Sequence, residues 1–160
     1  MSLTHDHHRG LPMTTAQRDN LPTILIADDD PYDRMFMERA CRKARLRNPI
    51  ASVQDGDDLL DYLRGEGMFA ADPPPTPGLI LLDLNMPRMD GHEALEELRQ
   101  DPRFKRTPVI LLTHSDIIRD EHASLLGEHT SCATKPVTPL DLIQVIDALG
   151  CDWFEPAERP

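Results

Sequence analysis

The chain of 160 residues has only three cysteines, Cys41, Cys132 and Cys151, and they form neither a Cys-x-x-Cys pair nor an even framework. A disulfide scaffold is excluded on that ground, and reduced thiols in a cytoplasmic protein are expected. Apolar runs stop after four or five residues, far short of the roughly 20 that a membrane-spanning helix requires. Residues 1–20 contain no apolar centre of the signal-peptide kind. Positive charge is also scarce: 17 Lys and Arg against 28 Asp and Glu leave a net charge of -11. The phosphates of DNA or RNA would be repelled, so neither a nucleic acid nor a membrane is an expected partner.

What is present fits one domain with tails. Residues 1–22 are polar and aperiodic, carry His5, His7 and His8, and are expected to form a disordered leader. A domain over 23–150 and a tail over 151–160 complete the predicted organisation. Within the domain, the most informative stretch is Leu79-Ile80-Leu81-Leu82-Asp83, introduced by Pro77-Gly78 and followed by Pro87 and Gly91. Four apolar residues in a row suit a strand buried on both faces, and the strand ends on a carboxylate. Such an acid is costly inside a core but at home on the C-terminal rim of a parallel sheet, where open α/β folds place their ligands.

The same pattern recurs along the chain. Residues 23–27 read as a buried strand that ends in Asp28-Asp29-Asp30, and Asp30-Pro31 is a helix start. A helix carrying Met37, Ala40, Cys41 and Ala44 follows, then a short strand over 50–54 and a helix over 57–64. A helix from Gly91 to about Gln100 precedes a strand over 107–112 that runs into Thr113. Asp116 can cap a further helix, residues 131–134 form a weak fifth strand leading to Lys135-Pro136, and a last helix starts after Thr138-Pro139. Five βα units in succession predict an α/β, flavodoxin-like doubly wound five-stranded parallel sheet, and the flavodoxin-like strand order is 2-1-3-4-5. The segment 72–77, Asp-Pro-Pro-Pro-Thr-Pro, is expected to be an extended spacer.

In that order strands one and three flank the crevice, so Asp28, Asp29 and Asp83 converge. Their repulsion calls for a cation, and an all-oxygen site suits Mg2+. With the hydroxyl of Thr113 and the ammonium of Lys135 opposite, the set is suited to a phosphoryl group.

Asp28-Asp29, Asp83 followed by Met86-Pro87 and Asp90-Gly91, then Thr113, then Lys135-Pro136, make the chain resemble the receiver domains of two-component response regulators over residues 23–149. The 81–91 segment, the proline-rich loop and Trp153-Phe154 are similar to those of single-domain regulators paired with phytochrome histidine kinases. The resemblance implies that Asp83 accepts a phosphoryl group from a kinase phosphohistidine. It further implies that Asp29, Asp83 and the backbone carbonyl of Asn85 bind Mg2+ directly, with Asp28 acting through water. Lys135 and Thr113 would hold the phosphoryl oxygens, and the added charge would switch a protein-interaction surface.

Two positions depart from the family pattern: Cys132 stands where many receivers have an aromatic switch residue, and His114 where a small residue is common. The competing function is a Mg2+-dependent phosphatase or phosphotransferase acting on small phosphate esters. Those enzymes usually carry a second acid two residues after the nucleophile, where this chain has Asn85.

Two surfaces are also expected to meet partners. The first helix and its exit carry Arg34, Arg39, Arg42, Lys43, Arg45 and Arg47, and Arg39 and Arg42 are predicted to assist kinase docking. The apolar excess at Leu140, Ile143, Trp153 and Phe154 predicts a homodimer.

Overall fold

The computed structural model describes residues 21–114 and 126–151. Its order begins with β1 (Ile24–Ala27), α1 (Pro31–Lys43), β2 (Ile50–Val53) and α2 (Gly56–Arg64). It continues with β3 (Leu79–Asp83), α3 (Gly91–Gln100), β4 (Val109–Thr113), β5 (Thr130–Thr134) and α4 (Pro139–Ala148). The predicted helix from Asp116 and the aromatic pair Trp153-Phe154 lie outside the described residues. All five strands are parallel in the order β2-β1-β3-β4-β5, as the alternation of strand and helix signals requires.

Side-chain alternation along the central strands divides the core in two. Leu25, Ala27, Ile80, Leu82, Val109 and Leu111 pack with Leu59, Leu63, Leu95 and Leu98 of α2 and α3. The intervening residues Ile24, Ile26, Leu79, Leu81, Ile110 and Leu112 pack with Met37, Cys41, Leu142 and Ile146 of α1 and α4. Continuing the same parity one step past Ala27 and Leu82, and two past Ala133, assigns Asp28, Asp83 and Lys135 to the α1/α4 side. The register pairs Ala27 with Leu82, so Asp28 and Asp83 leave the sheet at one level.

Helix starts are fixed by short side chains, as the sequence signals require. Asp30 accepts from the Tyr32 amide at 2.8 Å, Asp55 from Asp58 at 2.8 Å and Asp90 from Glu93 at 2.9 Å. Thr138 and Asp141 form a reciprocal capping box. Ahead of the 72–77 segment, which forms no helix or strand, the connection after α2 is structured. It contains a single 3-10 turn, Gly67–Phe69, whose Phe69 ring meets Tyr62 edge-on at 5.1 Å.

At the opposite end of the sheet from the acids, Arg99 of α3 ties three segments together. Its guanidinium donates to the carbonyls of Phe104, Lys105, Thr107 and His129 and to the Thr130 hydroxyl, at 2.7–3.2 Å. Partial burial pulls its pKa below the usual arginine value. Arg99→Ala should therefore take the partner from the buried Thr107 carbonyl and the Thr130 hydroxyl, while the Phe104 and His129 carbonyls keep backbone amides, and lower stability by about 1–3 kcal/mol in urea denaturation. Arg99→Lys, which lacks the planar fork, should recover only part of that loss.

Candidate functional site

Asp28 follows β1, Asp83 closes β3 and Lys135 follows β5, so three strands deliver three side chains to one hollow. Asp28, Asp29 and Asp83 each bring a carboxylate oxygen within 4.8 Å of the others. Asp28 and Asp83 are buried, whereas Asp29 is exposed. The Lys135 ammonium lies 2.7 Å from Asp28 Oδ2, 3.0 Å from Asp33 Oδ2 and 3.5 Å from Asp83 Oδ2. The first two contacts are close hydrogen bonds, and the third is a longer ion pair.

Backbone groups hold the acids in place. Asp28 Oδ1 accepts from the Asp30 amide at 3.0 Å, and Asp83 Oδ1 accepts from the Asn85 amide at 3.2 Å. Arg34 fixes the chain at Asp28 by donating to its carbonyl at 2.7 Å. Gly91 allows α3 to start against the same strand end: a Cβ there would run into the Asp83 carbonyl oxygen and lie 2.8 Å from Leu84 Cα.

The electrostatics follow from burial and like charge. Burial pushes the Asp83 carboxyl up to about 6 and Asp28 adds to the rise, while Lys135 and the Asn85 amide oppose it. For Lys135 burial disfavours the ammonium, but its hydrogen bonds to Asp28 and Asp33 and the charge of Asp83 outweigh that, and its pKa rises.

Thr113 is fully buried at the end of β4, and its carbonyl accepts from the Lys135 amide at 2.7 Å, joining the ends of β4 and β5. His114 is exposed and, with Asp33, Phe36, Met37, Lys135, Pro136 and Val137, lines a cleft of about 280 Å³ that opens onto the ammonium. Cys132 is buried in the α2/α3 core cluster. Asp90 caps α3 and takes no part in the hollow. Of the two arginines expected to dock a kinase, Arg39 is exposed, whereas Arg42 donates to the Leu46 and Asn48 carbonyls at 2.9 Å and so closes the α1 exit. Leu140 and Ile143 are exposed on α4.

Sequence reasoning missed Asp33 and Arg88. Asp33 was accessible to it, being an acid in the first turn of the helix that starts beside the crevice. Arg88 was not: it adopts φ 63° two residues after Met86 and reaches back to Asp55 at 3.0 Å, Asp57 at 3.4 Å and Asp58 at 3.6 Å.

The donor set fits a hard divalent cation, since it is all oxygen and carries three formal negative charges against one ammonium. Both oxygens of Asp28 already accept hydrogen bonds, so Asp29 and Asp83 are the better direct ligands. No helix among the described residues is long and apolar enough to cross a membrane.

Comparison with known proteins returned the response regulator receiver domain, whose family model matches residues 24–147. Response regulator Rcp1 of Synechocystis sp. is 32% identical over 138 residues, 86% of this chain and 92% of the relative. Its Mn2+-bound crystal form superposes with a TM-score of 0.62 at 30% identity, covering 87% of this chain and 99% of that one. The bacteriophytochrome response regulator RtBRR matches with a TM-score of 0.76 at 33% identity, covering 88% of this chain and 84% of that one.

Proposed function

The chain belongs to the response regulator receiver domain family, and from that premise we propose that it is a two-component phosphorelay switch in which Asp83 accepts a phosphoryl group from a histidine kinase. The observation that carries this is the hollow itself, where Asp28, Asp29 and Asp83 share oxygens within 4.8 Å beside the Lys135 ammonium.

A carboxylate oxygen of Asp83 attacks phosphorus, the P–N bond to the donor imidazole breaks as the O–P bond forms, and the imidazole leaves with its electron pair and takes up a proton. Asp83 must be ionised to attack, so the fraction of competent nucleophile in the metal-free site falls as pH drops below about 6. Asp29 and Asp83, with the Asn85 carbonyl and Asp28 through water, would hold Mg2+. That ion supplies positive charge against the phosphoryl oxygens. Lys135 pairs with one phosphoryl oxygen and the Thr113 hydroxyl with another. Because the Lys135 amide donates to the Thr113 carbonyl, movement of either side chain is felt at the ends of both β4 and β5. The likeness to the bacteriophytochrome response regulator RtBRR supports a phytochrome-type kinase as partner.

Incubation with acetyl phosphate and Mg2+ tests the proposal. A base-labile gain of one phosphoryl group on Asp83, lost when EDTA is added first, is the expected outcome. Rapid multiple turnover of small phosphate esters would favour the hydrolase alternative, against which Asn85 already counts.

A second copy of the chain is the partner we assign to exposed Leu140 and Ile143. Sedimentation at tens of micromolar should show a dimer that Leu140→Lys with Ile143→Lys weakens at least about tenfold; a wild-type monomer both with and without phosphorylation removes the assignment.

A further inference from the structure

The Lys135 ammonium has three N–H donors, and its two close hydrogen bonds go to Asp28 and Asp33, at 2.7 and 3.0 Å. Asp83, which this lysine must serve once phosphorylated, stands farther off at 3.5 Å. Asp33 is not one of the three clustered carboxylates. It sits in the first turn of α1, where the helix dipole favours its charge, and its side chain is 29% exposed at the edge of the cleft. Helix α1 thus holds a fourth negative charge against the ammonium that faces the phosphoacceptor.

We infer that Asp33 is a positioning residue that competes with the phosphoryl group for Lys135, holding the ammonium on the α1 side and lowering the grip of the site on phosphate. The inference deepens the phosphoacceptor assignment and rests on it. When a dianionic group is attached to Asp83, the ammonium has to turn a donor toward it. Asp33 opposes that movement by retaining its own hydrogen bond to the ammonium. Asp28 cannot be relieved of this role in the same way, because it is buried and needed in the acidic cluster. Among the described residues the polar contact of the Asp33 side chain in the hollow is with Lys135, and Asp33 is outside the carboxylate trio, so its removal leaves that trio intact.

Fluoroberyllate with Mg2+ is the probe, since it mimics the phosphoryl group without turnover, and its affinity is read by calorimetry on the full chain. Asp33→Ala should bind it about five- to tenfold more tightly than wild type, with Asp33→Asn between the two because the amide oxygen still accepts a hydrogen bond. Asp33→Glu should return toward wild type. Mutating Asp33 in a Lys135→Ala background should change affinity by less than about twofold, because the competition no longer has an object.

Unchanged or weaker binding by Asp33→Ala overturns the inference, as does an equal gain in the Lys135→Ala background. A loss of folding would weaken binding and cannot counterfeit the predicted gain. If the wild-type chain binds fluoroberyllate no better than Asp83→Asn does, the phosphoacceptor assignment falls and takes this inference with it. If wild type binds and only the Asp33 series fails, that assignment stands alone.

Discussion

Asp83→Asn should abolish labile phosphorylation by acetyl phosphate or a kinase, a drop of at least ~10³-fold, while making the metal-free protein more stable at neutral pH. The first effect follows from removing the nucleophile. The second follows from where the carboxylate sits, buried at 3% exposure with Asp28 beside it and its pKa displaced from 3.8 to about 6. A group whose folded pKa lies above its unfolded value takes up a proton on folding between the two. Stability is therefore full below about pH 4, falls as the pH rises through about 6, and is lowest above that. The displacement sets a ceiling of about 3 kcal/mol, and about 1–2 kcal/mol is a sensible expectation once the asparagine's own imperfect fit is included. Thermal melts without metal should show the variant above wild type at pH 7.5 and equal to it at pH 4. Saturating Mg2+ should close the gap at pH 7.5, since the ion stabilises wild type by mass action and finds one ligand fewer in the variant. A variant less stable than wild type at pH 7.5 without metal would show that the carboxylate is not strained in the native hollow.

The acids that make up this hollow were legible in the sequence because each follows a short apolar run. Ile24–Ala27 and Leu79–Asp83 are too apolar to be surface strands, so the carboxylates that end them had to lie on the rim. Helix starts were equally plain at Asp30-Pro31, Asp90-Gly91 and Thr138-Pro139, where the capping side chain precedes a residue that suits the first turn. What could not be read depends on long side chains crossing between segments. Lys135 reaches Asp33 across 102 residues of sequence, Arg88 reaches Asp55 across 33, and Arg99 reaches Thr130 across 31. A basic helix likewise looks uniform in sequence, yet Arg34 and Arg42 are spent on backbone carbonyls while Arg39 is exposed. Periodicity tells which face of an element is buried. It does not tell which of several arginines on the opposite face will find a partner.

Lys135→Ala should carry the largest stability penalty of any substitution in the hollow, about 3–5 kcal/mol in metal-free protein near pH 8, together with a fall of ~10²-fold or more in phosphotransfer. The ammonium is the only cation hydrogen-bonded to the buried carboxylate of Asp28 among the described residues, and it faces Asp83 as well. Without it two acids are left in low dielectric, 2% and 3% exposed, with Asp29 alongside. The pH dependence separates this cause from ordinary loss of packing. Removing the lysine takes away an influence that holds the Asp83 pKa down, so the folded value climbs further above 3.8. Folding then takes up protons over a wider window, and stability is regained as the pH falls through the new, higher value. The penalty should accordingly shrink toward pH 5, whereas a cavity left by a deleted aliphatic stem would cost the same at every pH. Divalent cation gives a second, independent signature. With the competing ammonium gone, Mg2+ should bind the variant more tightly than wild type and restore most of the lost stability, yet it should not restore phosphotransfer, because the donor proposed for the phosphoryl oxygen is missing. Urea titrations at pH 5 and pH 8, with and without Mg2+, measure all three effects. A penalty that is independent of pH and untouched by Mg2+ would mean that Lys135 acts through packing, and that the carboxylates it contacts are balanced some other way.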